Sequence, residues 1–432
     1  DHPQRYALVN ELHTRPFPSL VAPCHAVFIA VKEPLDAANR DRARDHAHLC
    51  DLLARHGAPL PPADATHMSC RIGRHMLKWE SHTEFVTYSA FCPGVSARPF
   101  DPAEAEVFPA RWQAEAPGRR ICAVLLRVEH MPEDPAGIDA RLEDWFVPES
   151  LAVAKVLDGS AIVAGDFHID PSGHMRFAVF IREGTGARRI GRIVQRLCEI
   201  ETYRMMSMLG LGRARDLGAR LNALDPELTA VVDGMSDETR SAEETLEALL
   251  RISAELEGLA VRFSFRAGAT GAYEAIVNQR IAVLRETRHS GRQTFGEFMM
   301  RRYDPAMRTV KSAEARLRGM LDRTARAAEL LRTRVDVERS AQNHRLMERM
   351  DRRADLQLRL QHTVEGLSVV AISYYAVNLA TYVALPLAGG LGLGKTELAA
   401  LVTLPVVLGV WLLIRRIRRV VHRADGPQQG HR

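Results

Sequence analysis

Cysteine is scarce in this 432-residue chain, and none lies beyond Cys198. The six residues, Cys24, Cys50, Cys70, Cys92, Cys122 and Cys198, form no CxxC pair. That excludes a disulfide scaffold and a CxxC metal or redox motif, and the thiols read as reduced residues of a cytosolic domain. No glycine-rich loop opens a helix after a strand, so a nucleotide-phosphate cradle has no handle in the sequence. HExxH is also missing, and no Ser–His–Asp or Cys–His grouping follows from spacing. The expectation is a protein without enzyme activity and without a cofactor. Disorder is excluded as a global description by 46% hydrophobic and 26% charged residues. The length suits two to three units with a sizeable core.

Charge of either sign is nearly absent from one long stretch. Residues 366–394 contain no charged side chain, and Gly366 to Ala388 (GLSVVAISYYAVNLATYVALPLA) is long enough for a bilayer core of about 30 Å. A second apolar run, Leu398 to Ile414, follows a glycine-rich turn at Gly389 to Glu397. The turn contains GLGLGKT, which has the wrong spacing for a P-loop. The net charge of +5 is divided unevenly along the chain. Residues 301–362 hold 16 Arg and Lys against nine Asp and Glu, whereas residues 1–300 are mildly acidic. Arg415, Arg416, Arg418, Arg419 and Arg423 follow the second run, and Arg349, Arg352, Arg353 and Arg359 precede the first. The intervening turn offers only Lys395. Positive charge stays on the cytoplasmic side, which predicts that both termini are cytoplasmic and that the turn faces the outside or periplasm. The opening HPQRYALVNELHTRPFPSL has no apolar core of signal-peptide length, so the body is expected to remain inside. The lipid bilayer is the expected partner. A nucleic-acid partner is not expected, because the basic surplus lies away from the body.

Proline and helix-stopping glycine pairs are missing between Pro305 and Leu367. Val310, Ala313, Leu317, Met320, Thr324, Ala328, Leu331 and Val335 recur at steps of three and four, a heptad-like seam resumed at Leu346 and Met350. One long helix entering the first span is the simplest reading, with the seam used for self-association or for packing on residues 238–259. Upstream, Arg188 to Leu224 and Ser241 to Phe263 are expected helices, the second opened by the capping-box pattern of Ser241 and Glu244. Phe265 to Tyr273 (FRAGATGAY) is expected to break that helix, and a further one to run from Ala272 to Thr287.

The first 185 residues read as an α/β body. His25 to Lys32 and Ile121 to His130 are apolar strands, Phe85 to Ala90 alternates, and Pro171-Ser172-Gly173 marks a hairpin. The fold class is therefore α+β: body (1–185), helical layer (186–304), long stalk helix (305–365), transmembrane hairpin (366–414) and basic tail (415–432). Seventeen histidines invite a metal reading. His46 and His48 do not share a helix face, and His67, His75, His82, His168 and His174 are dispersed, so solvated or structural roles are expected and any metal stays unknown. The segment NELHTRPFP places Glu11, His13 and Arg15 in a rigid, polar stretch. It can bind an anionic ligand or pin the terminus to the sheet by salt bridges.

The opening YALVNELHTRPFPSL, the body and TVEGLSVVAISYY together resemble a bacterial family of uncharacterised membrane-anchored proteins. The architecture is also similar to the CorA magnesium-transporter superfamily, with RLQHTVEGLSVVAIS (Arg359 to Ser373) resembling its stalk–membrane junction. That likeness implies a homo-oligomer, a pentamer in that superfamily, whose first span lines a pore. The superfamily's Gly-Met-Asn signature is replaced here by Ala384-Leu385-Pro386-Leu387, so none of its selectivity residues carry over. Ser368, Tyr375, Asn378 and Tyr382 share one helical face and are the pore-lining candidates. Hydrogen bonding between helices of an inert bundle, with Asn378 as the clasp, is the equal alternative. The expected function is a divergent ion transporter or channel. The alternative is a membrane-anchored cytosolic sensor or scaffold without transport.

Overall fold

Strand β1 (Cys24–Lys32) is buried at every position, and so is all of β4 (Phe85–Pro93) except Pro93. A strand covered on both faces belongs in the middle of a layered fold. The computed structural model describes residues 1–6, 9, 16–34, 40–134, 136–236, 241–388 and 395–424. The other strands are β2 (His67–Ile72), β3 (His75–Ser81), β5 (Arg119–His130), β6 (Ala152–Val156), β7 (Ala161–Ile169), β8 (Met175–Ile181) and the short β9 (Thr287–Arg288). They form one nine-stranded sheet in the order β2-β3-β4-β1-β5-β8-β7-β6-β9. The pairing of β5 with β8 is parallel, and all other neighbours are antiparallel. The β7–β8 hairpin matches the sequence expectation. Gly173 closes that hairpin at φ +82°, and Asp170 accepts the Ser172 and His174 backbone N–H groups at 2.9 and 3.0 Å.

Each face of the sheet has its own helical cover. Val27, Ile29, Val31, Leu77, Trp79, Tyr88, Ala90 and Leu125 point to one side. There they pack with Leu49, Leu52 and Leu53 of α1 (Arg42–Arg55), Trp112 of α2 (Ala110–Ala114) and Ile138 and Leu142 of α3 (Ala136–Trp145). His48 is embedded in this core. Its imidazole stacks on Trp112 at 3.9 Å, donates to the Trp112 carbonyl at 2.9 Å and accepts from the Tyr88 hydroxyl at 2.9 Å. The opposite face is crossed by α4 (Ala187–Asp233), which contacts β1, β5 and β8.

α4 pairs along its length with α5 (Ala242–Ala282). α5 runs unbroken through Phe265–Tyr273, which corrects the expected break. Gly268 and Gly271 each weaken a helix by about 1 kcal/mol, less than the burial of Phe263, Ala267 and Thr270 returns. The approach is so close that a methyl group on Gly210 would overlap Thr270. After the short α6 (Phe295–Arg302), α7 (Asp304–Ala388) starts with Pro305 in its first turn. Val310, Leu317, Met320, Thr324 and Leu331 are buried, so the expected seam packs as far as Leu331. Polar contacts accompany it: Lys311 with Glu274 of α5, and Arg316 and Arg323 with Asp225 of α4.

Two compact units divide the chain, 1–331 and 332–432. In the second, α7 continues to Ala388 and is followed by α8 (Lys395–Ala424). Both helices are long and apolar enough to cross a membrane. Val369 of α7 lines an apolar groove with Thr403, Leu404, Val407, Leu408 and Trp411 of α8. Leu367, Val370, Leu379, Val383, Leu401 and Leu412 are exposed, an extent of bare apolar surface that marks a membrane-facing or protein-facing side.

Gly210→Ala is expected to lower unfolding stability by about 1–3 kcal/mol through overpacking. Thr270→Ala in the same chain should recover most of the loss, as read by denaturant titration of the detergent-solubilised protein. Burial pushes the His48 imidazole below its ordinary value of 6.5. The neutral ring's contribution is then complete above pH 6.5 and is lost as pH falls through the folded-state value. Stability should therefore decline on acidification from that point, and His48→Gln should show a shallower decline in pH-dependent melting.

Candidate functional site

Strand parity sends Lys78 and Glu80 to the face opposite the buried Leu77 and Trp79. In the β3–β4 register Lys78 stands across from Ser89 and Glu80 across from Thr87. These four polar side chains form a square patch on the face that α4 covers. The helix answers with Gln195, Glu199 and Thr202, spaced i, i+4 and i+7 on one side. A cavity of about 220 Å³ lies between patch and stripe. Phe28, Phe85 and Phe91 of the sheet, Cys198 and Tyr203 of α4, Arg280 of α5 and Phe17 complete its lining.

The polar groups of this cavity are already organised. Lys78, only 7% exposed, donates from Nζ to Gln195 Oε1 at 3.0 Å and lies 3.2 Å from the Glu80 carboxylate. Gln195 Nε2 donates to Glu199 Oε1 at 2.7 Å, and Arg280 pairs with the other Glu199 oxygen. Two cations thus face two carboxylates, and the lining is electrically balanced. His82 stacks on Phe85 at 4.4 Å, and Tyr203 meets the same ring edge-on at 6.0 Å. Tyr203 also stacks on Tyr273, whose hydroxyl donates to the buried Glu84 carboxylate at 2.9 Å, where Arg266 pairs as well. Burial and the neighbouring Glu84 charge push the Tyr273 phenol up, so it stays a donor at neutral pH. Burial likewise raises the Cys198 thiol, which makes it an apolar wall and not a nucleophile.

Phe17 reaches the cavity because the segment before β1 lies directly on α4. Leu20 N–H donates to the Ala187 carbonyl at 3.1 Å, and Gly191 leaves room for the Pro18 carbonyl where any side chain would collide. Glu11, His13 and Arg15 lie outside the described residues. Of the NELHTRPFP segment, the Pro16-Phe17-Pro18 end is described, and it supplies one wall of the cavity.

The pore-lining candidates lie in the second unit and do not enclose a space within one chain. Tyr375 and Tyr382 are exposed, Asn378 is half-buried, and Ser368 is exposed and donates to the Val364 carbonyl at 2.8 Å. The side of α7 that packs inward carries the buried Ser373 and Thr381 together with Val369, roughly opposite the Ser368–Tyr375–Tyr382 face.

One Ser–His–Asp grouping does occur. Ser172 Oγ lies 2.9 Å from His174 Nδ1 and 2.6 Å from Asp170 Oδ1. The carboxylate bonds the serine and two backbone N–H groups of the hairpin, not the imidazole, so the trio locks a turn and lacks the order of a catalytic triad.

Sequence reasoning did not single out Lys78, Glu80, Thr87, Ser89, Gln195, Glu199 or Arg280. A signal was present in the charged positions of HMLKWES, which share parity with each other against Leu77 and Trp79. It becomes meaningful only once the second face of the sheet is known to be covered.

The chain belongs to the family described as "Protein of unknown function (DUF3422)", whose model matches residues 1–421. No curated protein matches the sequence.

Proposed function

We propose, with membership of this family of unknown function as the premise, that the protein is a membrane-tethered small-molecule sensor. The observation that carries the reading is the cavity under α4, where a buried lysine and three further charged groups stand beside aromatic walls. Pockets that recognise ligands combine a few fixed polar groups with apolar lining. A balanced lining disfavours a ligand of large net charge, since burying an extra charge there would leave it unpaired. The preferred ligand is therefore small, uncharged or zwitterionic, with donors and acceptors on one side and an apolar part on the other. The cavity's walls come from β1, β3, β4, α4, α5 and the segment before β1. α4 and α5 are also the helices that pair with the start of α7, the helix that carries the first apolar run. A ligand that shifts α4 on the sheet thus acts on the element leading to the bilayer. Tethering at the bacterial inner membrane with cytoplasmic termini is supported by the two apolar helices and by the Arg-rich segments beside them.

A second reading, ion transport with CorA-like architecture, is favoured by one observation. The exposed Ser368, Tyr375 and Tyr382, with the half-buried Asn378 beside them, lie roughly opposite the Val369 side of α7, where further copies of α7 can pack in a homo-oligomer, a ring of five in the CorA-like case. Such a face can line a path or clasp helices.

The sensor reading is tested by screening the full chain in detergent against a metabolite library by thermal shift and native mass spectrometry. Hits should raise the melting temperature of the native protein, with the shift lost in Ser89→Leu, which fills the cavity, and in Lys78→Met. Circular dichroism serves as the control for folding. Shifts that persist unchanged in both variants would place the ligand elsewhere and remove the reading. Transport is tested by cation flux into liposomes carrying native protein or Asn378→Leu. A conducting assembly should lose at least half its flux on substitution, whereas background leak from both would end the transport reading.

A further inference from the structure

The face of the sheet opposite the cavity holds a second set of chemistry-bearing residues at the edge of the core. β1 and β4 pair His25 with Cys92, and the β3–β4 register, running through Met76 and Phe91, sets His75 opposite Cys92 from the other side. His75, Cys92 and His25 therefore stand in one row across three adjacent strands. They share parity with Leu77, Ala90 and Val27, so all three belong to the same face. The short cysteine is central and the two longer imidazoles flank it, so their tips converge above it. One ligating atom from each lies within 4.8 Å of the other two. The rings meet at 79° with centroids 6.1 Å apart.

The hydrogen bonding of this row is incomplete. His25 Nδ1 lies 2.8 Å from the Gly94 carbonyl, which only accepts, so Nδ1 is the donor and Nε2 is the nitrogen left for a ligand. That Nε2 is buried and has no hydrogen-bond partner, and His75 Nε2 is in the same condition. Buried polar atoms are rarely left unpaired, and two such atoms converging on a thiol call for an explanation. Cys92 has only a long contact from Sγ to its neighbour's carbonyl, Pro93 O at 3.6 Å. An imidazole whose far nitrogen is fixed on a backbone carbonyl is the usual arrangement of a metal-bound histidine. Around the row, the Glu104 carboxylate accepts the Ser96 N–H at 3.2 Å and lies 3.8 Å from His25 Nδ1.

We propose that His25 Nε2, His75 Nε2 and Cys92 Sγ form a zinc-binding site with a fourth position open to water or a small ligand. Two imidazoles and a thiolate suit Zn²⁺, whereas Mg²⁺ and Ca²⁺ require oxygen donors. Zinc–nitrogen and zinc–sulfur bonds of about 2.1 and 2.3 Å hold tetrahedral donors about 3.5 Å apart, a closure from the 4.8 Å limit within which the three ligating atoms lie. Rotation of the His75 side chain, at the β2–β3 turn and partly open to solvent, supplies that closure. Binding replaces the Cys92 thiol proton with the metal, and that proton leaves to solvent. The site is separated from the α4 cavity by the thickness of the sheet and does not depend on the sensor reading.

The experiment uses the full chain in detergent, stripped with a chelator and titrated with Co²⁺ and then Zn²⁺. One Co²⁺ per chain should bind with a thiolate-to-cobalt charge-transfer band and the intense visible bands of four-coordinate cobalt, and Zn²⁺ should bleach both. Cys92→Ser should lose the charge-transfer band. His75→Gln, at the turn where folding is least affected, should weaken Co²⁺ binding about tenfold or more. Native protein that binds Co²⁺ without the charge-transfer band, or binds none, overturns the proposal. So does a band that survives in Cys92→Ser. Because the native spectrum alone can refute the site, a variant that fails to fold does not protect it.

Discussion

The close approach of α4 to its neighbours is the constraint on which the rest of the first unit depends. At Gly191 the helix meets the backbone before β1, and at Gly210 it meets the Thr270 side chain of α5. The first contact places Phe17 at the cavity and fixes the height of α4 over the sheet. The second keeps α5 near enough for Arg280 to reach Glu199 and for Tyr273 and Arg266 to reach Glu84. Glycine at these two contacts lets the layers approach more closely than any side chain on α4 would allow, and interior packing does not deform gradually.

Both faces of the sheet are covered, and the two covers are chemically different. Under α1, α2 and α3 the layer is aromatic and aliphatic, with His48 held neutral between Tyr88 and Trp112. The His25–Cys92–His75 row lies at the margin of that layer. Under α4 the same strands present Lys78, Glu80, Thr87 and Ser89. Alternation along β3 and β4 therefore serves two chemistries at once: one parity supplies core and metal-type donors, the other a ligand-type lining. This follows from the period of two in an extended strand, which gives each face an independent sequence.

Much of the fold was legible because periodicity and punctuation are local. The strands at His25–Lys32 and Ile121–His130, the Pro171–Gly173 hairpin, the long helix from Pro305 and the two apolar runs all appear where hydrophobic spacing places them. The break expected at FRAGATGAY did not occur, since glycine propensity is a fraction of what burial along α4 contributes. The candidate sites were less legible. Lys78 and Gln195 are 117 residues apart, and His25 and Cys92 are joined by strand register, which spacing in sequence does not encode. Of the His25–His75–Cys92 row, only His75 is among the histidines that spacing leaves dispersed, and the three meet because neighbouring strands carry them.

What the sequence determined by itself is the order of elements and their amphipathic faces, since those arise from residues three, four or two positions apart. It also determined that two stretches near the C-terminal end are too apolar and too free of charge for an ordinary surface helix. The tertiary structure alone decided which faces meet. Register across β3, β4 and β1 aligned two histidines with a cysteine, and the seating of α4 on glycine contacts brought Gln195 and Glu199 over Lys78. Both outcomes depend on contacts between segments far apart in the chain, and no local preference of the residues involved specifies them.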